Sequence, residues 1–579
     1  MNTHRLEPTP DTVHWGFFDA GLSPRLTIDS GERVVISSVS GTSDLMPAED
    51  VERRIMARLL CSGSDSVWIA NAAQIGEIDQ LATQRHGIPA EQLMERAGQA
   101  VFDAVRQLLP KPGRLTVVCG KGNNGGDGLV VARLAREAGY EVDCLVAAEA
   151  PCCLAKDASS RLESLIAKGV KPIFYGEQNW DRKTECLCSR DLIVDALLGT
   201  GASGEVKGAV SEAIQAINRS GVPVVSVDVP SGIRCDTGEE LGTSIWAVRT
   251  VTFGLPKPFL FQGMGLEHSG YWSVADIGYP SELTERQTEA KLVDCDWVGS
   301  LLPERLRASH KGENGSILIV AGSRRMRGAA VLAARSALRA GAGLVTVAAI
   351  EPVCEAVAAS VPEALILPLP ELDGVIAPEA ASMILERRRQ YNSAVFGPGM
   401  THEEPVRDLL AELWSDWDVP SLIDADALNA AAMGIALPKS ECVLTPHPGE
   451  MSRLLRCSIA EVQSDRFRTV REAVGQFGKT ILLKGPYSIV GEDSQPLHVN
   501  CTGNPGMASG GMGDVLSGVI ATLMAQDLPG YYAASCGMFW HGMAGDLCAG
   551  EIGHIGYAAT DVAEALPAAR AKIISSCDE

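Results

Sequence analysis

The chain has 579 residues and a net charge of −22, from 50 Lys and Arg against 72 Asp and Glu. That length exceeds what one core supports and predicts three to four domains, or two large α/β ones. The acidic balance argues against a nonspecific nucleic-acid binder, which needs clustered cations, and no apolar run approaches the ~20 residues that span a bilayer.

Residues 1–66 carry Pro8, Pro10, Ser37, Ser38, Ser40, Gly41, Thr42 and Ser43 with little sustained periodicity. This predicts a poorly ordered extension with at most a short helix over 51–60. Residues 1–11 are polar and lack the basic and apolar regions of a secretory signal, so a soluble intracellular protein is expected. The 16 cysteines are scattered, and Cys152-Cys153 and Cys186-x-Cys188 lack zinc-knuckle pairing, so free thiols are expected.

From 67 to 280 the pattern becomes alternating helices and apolar strands. Ile75, Ile78, Asp79 and Ala82 begin one helix, and 93–109 make a second. A strand over 115–119, a glycine-rich loop over 120–128 and a helix over 129–138 follow, with further strands at 142–146, 192–195, 222–228 and 247–253. Helices of this length between strands predict a mostly parallel, doubly wound sheet whose ligands sit at the carboxyl ends of its strands.

Three of those ends carry chemistry. Gly120-x-Gly122-x-x-Gly125 fits the dinucleotide fingerprint, although its Asn-Asn pair and Asp127 are no part of that pattern. Asp195 leaves a second strand ahead of Gly199-Thr200-Gly201, and Asp228 leaves a third ahead of Pro230-Ser231-Gly232. Each alone is ordinary turn chemistry. Together, where the sheet opens, they predict a site, and Asn124, Asp195 and Ser231 offer hard oxygen donors for a cation if they converge.

With Leu93-Met94-Glu95-Arg96-Ala97-Gly98 ahead of them, these motifs resemble the NAD(P)H-hydrate epimerase family in content and order. The resemblance implies a Rossmann-like domain over 67–280. Asn123, Asn124, Gly125, Gly126, Asp127, Gly199, Thr200, Gly201, Ala202, Ser203, Gly204 and Glu205 would contact the hydrated nucleotide, with Asp228 as the catalytic acid/base. It also implies that Asn124, Asp195 and Ser231 hold a potassium ion (K+).

Residues 281–298 are charged and polar, with Glu282, Glu285, Arg286 and Glu289, and read as a linker. A second α/β series runs from 299 to 579. Its strands at 316–320, 344–348, 394–396, 421–423, 442–444 and 480–483 end in polar loops, among them Gly397-Pro398-Gly399, Asp424 to Asn429, and His447-Pro448-Gly449-Glu450. Near the end, glycine and small residues from Asn504 to Gly513 run into an apolar helix beginning beside Asp514. Backbone N–H groups bared at a helix start cradle phosphate, and one acid there can take a proton from an attacking hydroxyl, which points to phosphoryl transfer.

With Lys311-Gly312-x-Asn314-Gly315 and Gly341-Ala342-Gly343, these marks resemble the ribokinase-like fold, and within it the ADP- or ATP-dependent NAD(P)H-hydrate dehydratases. The resemblance implies that Lys484, Gly485, Pro486, Tyr487, Ser488 and Gly513 grip ADP or ATP with Mg2+. Ala329, Gly399, His447 and Asp514 would face the hydrated substrate, with Asp514 as catalytic base. Asp424 and Asn429 are candidates for Mg2+ and phosphate. The expected whole is a cytoplasmic homo-oligomer acting on NAD(P)H hydrates and ADP or ATP, without nucleic acid or membrane. A kinase for a small alcohol and a non-catalytic first half stay open as alternatives.

Overall fold

In this computed structural model residues 67–286 and 288–576 are described, together with the backbone strands Thr3–Leu6 and Arg33–Ile36, which pair in parallel. The expected disorder of 1–66, its remaining residues and the short helix over 51–60 lie outside the described residues. Residues 1–59 form a unit separate from 60–579, and the two large sheets belong to the latter.

The first half is built on a seven-stranded sheet, all parallel. In spatial order its strands are Tyr271–Ala275, Arg249–Phe253, Val224–Val227, Leu192–Ala196, Arg114–Cys119, Glu141–Val146 and Ile173–Phe174. Alternate residues of the same strands feed two cores. Leu115, Val117 and Val194 meet helices Ala90–Leu108 and Asn123–Glu137 on one face, while Val118 and Ile193 meet helix Gly208–Ser220 on the other. Burial on both faces is why these strands read as unbroken apolar runs.

The glycine-rich loop is shorter than its composition predicts. The helix starts at Asn123 rather than 129, so Asn123 to Gly128 are its first turns. Close packing overrides weak local propensity here: a Cβ on Gly125 would lie 2.0 Å from the Gly120 carbonyl, and one on Gly128 would lie 2.5 Å from Ala196 Cβ. The glycines therefore press the helix start against two strand ends.

The second half is organised on an eleven-stranded sheet. Seven parallel strands run in the order Leu365–Pro368, Leu344–Ala349, Ser316–Val320, Ser393–Phe396, Ser421–Ile423, Cys442–Leu444 and Thr480–Leu483. The antiparallel strands Ile489–Gly491 and Leu497–Val499 extend it. The stretch expected as a linker then contributes structure: Ala290–Leu292 pairs beside Leu497–Val499, and Trp68–Ile69, from the start of the first half, pairs on its other edge. Lys291 is held there over the rings of Trp68 and Trp297, so its charge is no sign of a solvated tether.

Helices Arg327–Arg339 and Met512–Ala525 pack side by side and run the same way. A Cβ on Gly511 would meet Leu332 at 2.6 Å, one on Gly518 would meet Ser336 Oγ at 2.0 Å, and Thr522 Oγ1 donates to the Ala337 carbonyl at 3.2 Å. Both N termini consequently open at the same end of the sheet.

Candidate active sites

In the first half, Asp195 is fully buried and accepts from four donors: Leu197 N at 3.2 Å, Ser226 Oγ at 2.9 Å, Ser231 N at 2.9 Å and Ser231 Oγ at 2.6 Å. Asn124 Nδ2 donates to the Leu198 carbonyl at 2.9 Å, and Ser231 Oγ lies 3.3 Å from the same oxygen. Asn124, Asp195 and Ser231 thus converge around one peptide, and Gly199 sits directly against Asn124. Burial raises the Asp195 carboxyl, which its hydrogen bonds oppose, and no Lys or Arg pairs with it among the described residues. The Asn124 amide oxygen makes no hydrogen bond among the described residues, and a donor set of one carboxylate, one amide oxygen and one hydroxyl fits a weakly held monovalent cation. Glu205, at the other end of the glycine loop, forms an exposed ion pair with Lys207 at 2.8 Å.

Asp228 stands where its strand ends, in a left-handed conformation with φ 64° that turns its carboxylate back on the sheet. It accepts from Thr252 Oγ1 at 2.9 Å, Phe253 N at 3.2 Å and Lys257 Nζ at 2.6 Å. Lys257 has no solvent exposure and also donates to Thr252 Oγ1 at 2.7 Å and the Phe253 carbonyl at 2.9 Å. Sequence reading missed this lysine; a Lys between two prolines, Pro256 and Pro258, reads as loop. Asp127 shares the cleft: burial, with the charges of Asp228 and Asp79 behind it, pushes its carboxyl well above the ordinary range. One carboxylate held by an ammonium and another pushed toward the neutral acid is the arrangement a proton-transfer site needs.

In the second half Lys484 and Asp424 form the centre. Lys484 Nζ donates to Asp424 Oδ1 at 2.6 Å and lies 3.7 Å from Glu450 Oε2. Asp424 further accepts from Thr445 Oγ1 at 2.9 Å and Ser517 Oγ at 2.8 Å. Burial opposes the Lys484 charge, but Asp424 and Glu450 outweigh it and raise the ammonium above the usual lysine value. Gly513 lies over this pair: a Cβ there would come 3.4 Å from Lys484 Nζ and 3.7 Å from Asp424 Oδ2. Gly397 presses on the Asp424 carbonyl, and Gly399, with φ 65°, sits against Met326 and Ala329. Ala329, Gly399, Lys484, Gly485, Gly513 and Asp514 therefore gather in one place.

Asp514 lies in the first turn of its helix, behind the N-cap Gly511. Burial, joined by the charge of Asp424, pushes its carboxyl up to about 7, and burial takes Glu450 to about 7 as well. The cradle thus holds more than the single acid its own stretch of sequence displays. His447 has a structural duty: its Nδ1 accepts from Gly449 N at 3.0 Å and Glu450 N at 3.3 Å, which caps helix Pro448–Leu455, while Glu450 accepts from His447 N at 2.8 Å. Asn429 does not join Asp424; its side chain bonds Arg453 at 2.8 Å and Asp426 at 3.4 Å. Among the described residues no three His, Cys, Asp or Glu side chains form a metal cage. Asp424 and Glu450, which meet Lys484 beneath Gly513, still fit Mg2+, which takes one or two carboxylates together with phosphate oxygens.

The loop after Lys484 touches the first half. The Phe261 and Tyr487 rings meet at 5.2 Å, and the buried Arg466 donates to the carbonyls of Phe261 and Pro486.

Two families of sequence fit the two halves. A profile described as "NAD(P)H-hydrate dehydratase" matches residues 317–568, and one described as "YjeF-related protein N-terminus" matches 90–259. A bifunctional NAD(P)H-hydrate repair enzyme of Moorella thermoacetica is 39% identical, covering 86% of this chain and 96% of its own. One of Escherichia coli strain K12 is 36% identical over 86% and 92% of the two chains. An ADP/ATP-dependent NAD(P)H-hydrate dehydratase of Bacillus subtilis, solved with ATP/Mg2+, is 28% identical, with a TM-score of 0.43 over 48% of this chain and 97% of its own. Similarity of this extent to relatives that carry both halves in one polypeptide means that the chain belongs to the bifunctional NAD(P)H-hydrate repair enzyme family.

Proposed function

We propose that this protein returns hydrated NADH and NADPH to their normal reduced forms, the first half interconverting the two epimers and the second dehydrating one with ADP or ATP. Hydration leaves a hydroxyl on the carbon beside the ring nitrogen. In the second half Asp514 takes the proton of that hydroxyl as it attacks the terminal phosphate, and the bared N–H groups at the helix start stabilise the transferred group. The hydroxyl becomes a phosphate ester as the nucleotide departs one phosphate shorter; the ring nitrogen lone pair then expels phosphate to form a C=N+ bond, and loss of a proton from the neighbouring ring carbon restores the neutral reduced ring. Lys484, Gly485, Pro486, Tyr487, Ser488 and Gly513 hold the nucleotide, and Ala329, Gly399 and His447 the hydrated ring. Asp424 and Glu450, both against Lys484, would hold Mg2+ brought with the nucleotide, which would supply charge neutralisation.

In the first half the same lone pair expels the hydroxyl as water, which returns on the other face. Asp127 supplies the departing proton and Asp228, fixed by Lys257, accepts one from the returning water. Asn123, Asn124, Gly125 and Gly126 with Gly199, Thr200, Gly201, Ala202, Ser203, Gly204 and Glu205 hold the rest of the nucleotide. Asn124, Asp195 and Ser231 would hold a potassium ion whose charge fixes the loops beside the phosphates. A cytoplasmic homo-oligomer, with domains over 67–280 and 299–579, completes the reading.

The observation that carries it is Asp514 beside Lys484, its carboxyl near neutrality at a glycine-lined helix start. Hydrated NADH mixed with the protein and ADP or ATP should regain the absorbance of reduced nicotinamide. Accumulation of a stable phosphorylated product would instead mark a small-molecule kinase.

A further inference from the structure

Tyr279 and Asp79 lie outside the matched segment of the first half, 90–259, and 200 positions apart, yet their side chains meet. Tyr279 Oη donates to Asp79 Oδ1. Its ring lies across Gly254, where a Cβ would come 2.2 Å from the ring, so only glycine fits there. Gly254 directly follows Phe253, whose N–H binds Asp228 and whose carbonyl binds Lys257. Arg96 fixes the approach of Tyr279 by donating to the Ile277 carbonyl at 2.9 Å and packing against Gly278. Helix Ala72–His86, which carries Asp79, is docked by Ala72 N on Asp236 at 2.7 Å.

Asp79 is accessible from solvent, as a group that meets a ligand must be. Its second carboxylate oxygen makes no hydrogen bond among the described residues. Its partner Tyr279 lies across Gly254, next to the Phe253 that binds both Asp228 and Lys257, which places Asp79 at the same cleft, and partial burial raises its carboxyl. Lys257 is already committed to Asp228 at 2.6 Å. Asp79, Asp127 and Asp228 therefore leave the cleft with a surplus of carboxyl groups.

Epimerisation by loss and return of water produces the charge such a cleft favours. When the hydroxyl leaves, the C–O bond breaks, the nitrogen lone pair forms a C=N+ bond, and the hydroxide departs as water with a proton from Asp127. Water then adds to the opposite face, gives a proton to Asp228, and the ring is neutral again. We propose that Asp79, held by Tyr279, is a further catalytic residue of the epimerase, its carboxylate facing the ring and stabilising this cationic intermediate. The proposal rests on the epimerase reading. It assigns the cleft a preference for cationic over neutral nicotinamide rings.

Oxidised NAD+, with its permanently positive ring, and neutral NADH test that preference without turnover. In the full chain, half-saturation of hydrogen-exchange protection at Phe253, Gly254 and Lys257 is measured with each. Asp79→Asn should require about tenfold more NAD+ and unchanged NADH, and should lower the epimerase kcat about 10²-fold with little change in KM. Tyr279→Phe should give a smaller loss of the same kind. Equal shifts for NAD+ and NADH, or none, would overturn the proposal whatever happens to kcat. Wild-type protein that prefers NAD+ through Asp79 but does not interconvert epimers would overturn the epimerase reading instead.

Discussion

Removing the Lys257 ammonium tests how Asp228, the proposed proton acceptor of the first half, is held. Lys257→Met keeps most of the side-chain volume but deletes three hydrogen bonds, to Asp228 at 2.6 Å, Thr252 at 2.7 Å and the Phe253 carbonyl at 2.9 Å. Asp228 is then left buried with, among the described residues, only Thr252 Oγ1 and Phe253 N as donors. Breaking a buried pair in this way costs about 3–5 kcal/mol, because an uncompensated charge remains. For a domain of this size each kcal/mol lowers Tm by about 2–4 °C, so the first half should melt roughly 10 °C lower by calorimetry. Epimerisation should fall with it, while the dehydratase cluster around Lys484 is untouched. Adding Asp228→Asn removes the orphaned charge and should restore most of the lost melting temperature without restoring activity. A Lys257→Met protein melting within about 2 °C of wild type, or a double variant melting no higher than the single one, would refute this account of the pair.

Asp514→Asn should abolish nucleotide-dependent dehydration and leave epimer interconversion intact, as separate assays of the two steps would read. With Asp514 as the proposed base and its carboxyl pushed up to about 7, dehydratase kcat should fall as pH drops below about 7, where the carboxyl is protonated; a flat pH–rate profile down to about pH 5 would contradict that role. Asp195→Ala should weaken substrate binding and epimerisation, spare dehydration and remove any response to potassium, measured by titrating the salt. Protein beginning near Ser66 should keep both activities and the wild-type melting temperature; a large loss of stability would show that the extension packs as structure.

Most of both candidate sites was legible because each lies where an apolar strand ends in glycine and acid, a pattern written in consecutive residues. Asp195, Asp228, Asp424 and Asp514 all stand at such ends or at the helix starts next to them. What escaped reading depends on distance in sequence or on packing. Lys257 is a ligand of Asp228 only because the fold buries it, and Asp79 and Tyr279 meet across 200 positions. Ala290–Leu292 and Trp68–Ile69 are too short to show a period, and the charge of Lys291 masks the strand until its aromatic neighbours are seen. Asn123 to Gly128 carry weak helix formers, so only their contacts with the strand ends reveal a helix. His447 is expected from sequence to face substrate, and its ring also caps its own helix.

The central claim is that two different acids serve two consecutive steps on one damaged nucleotide. It is tested most directly by supplying the mixed epimers of hydrated NADH, with ADP or ATP, to wild type, Asp228→Asn and Asp514→Asn, and following reduced-nicotinamide absorbance to its end point. Wild type should recover the whole mixture, Asp228→Asn only the epimer its second half accepts directly, with the other left to slow spontaneous conversion, and Asp514→Asn none. Rapid full recovery by Asp228→Asn, or any recovery by Asp514→Asn beyond the protein-free rate, would contradict the claim.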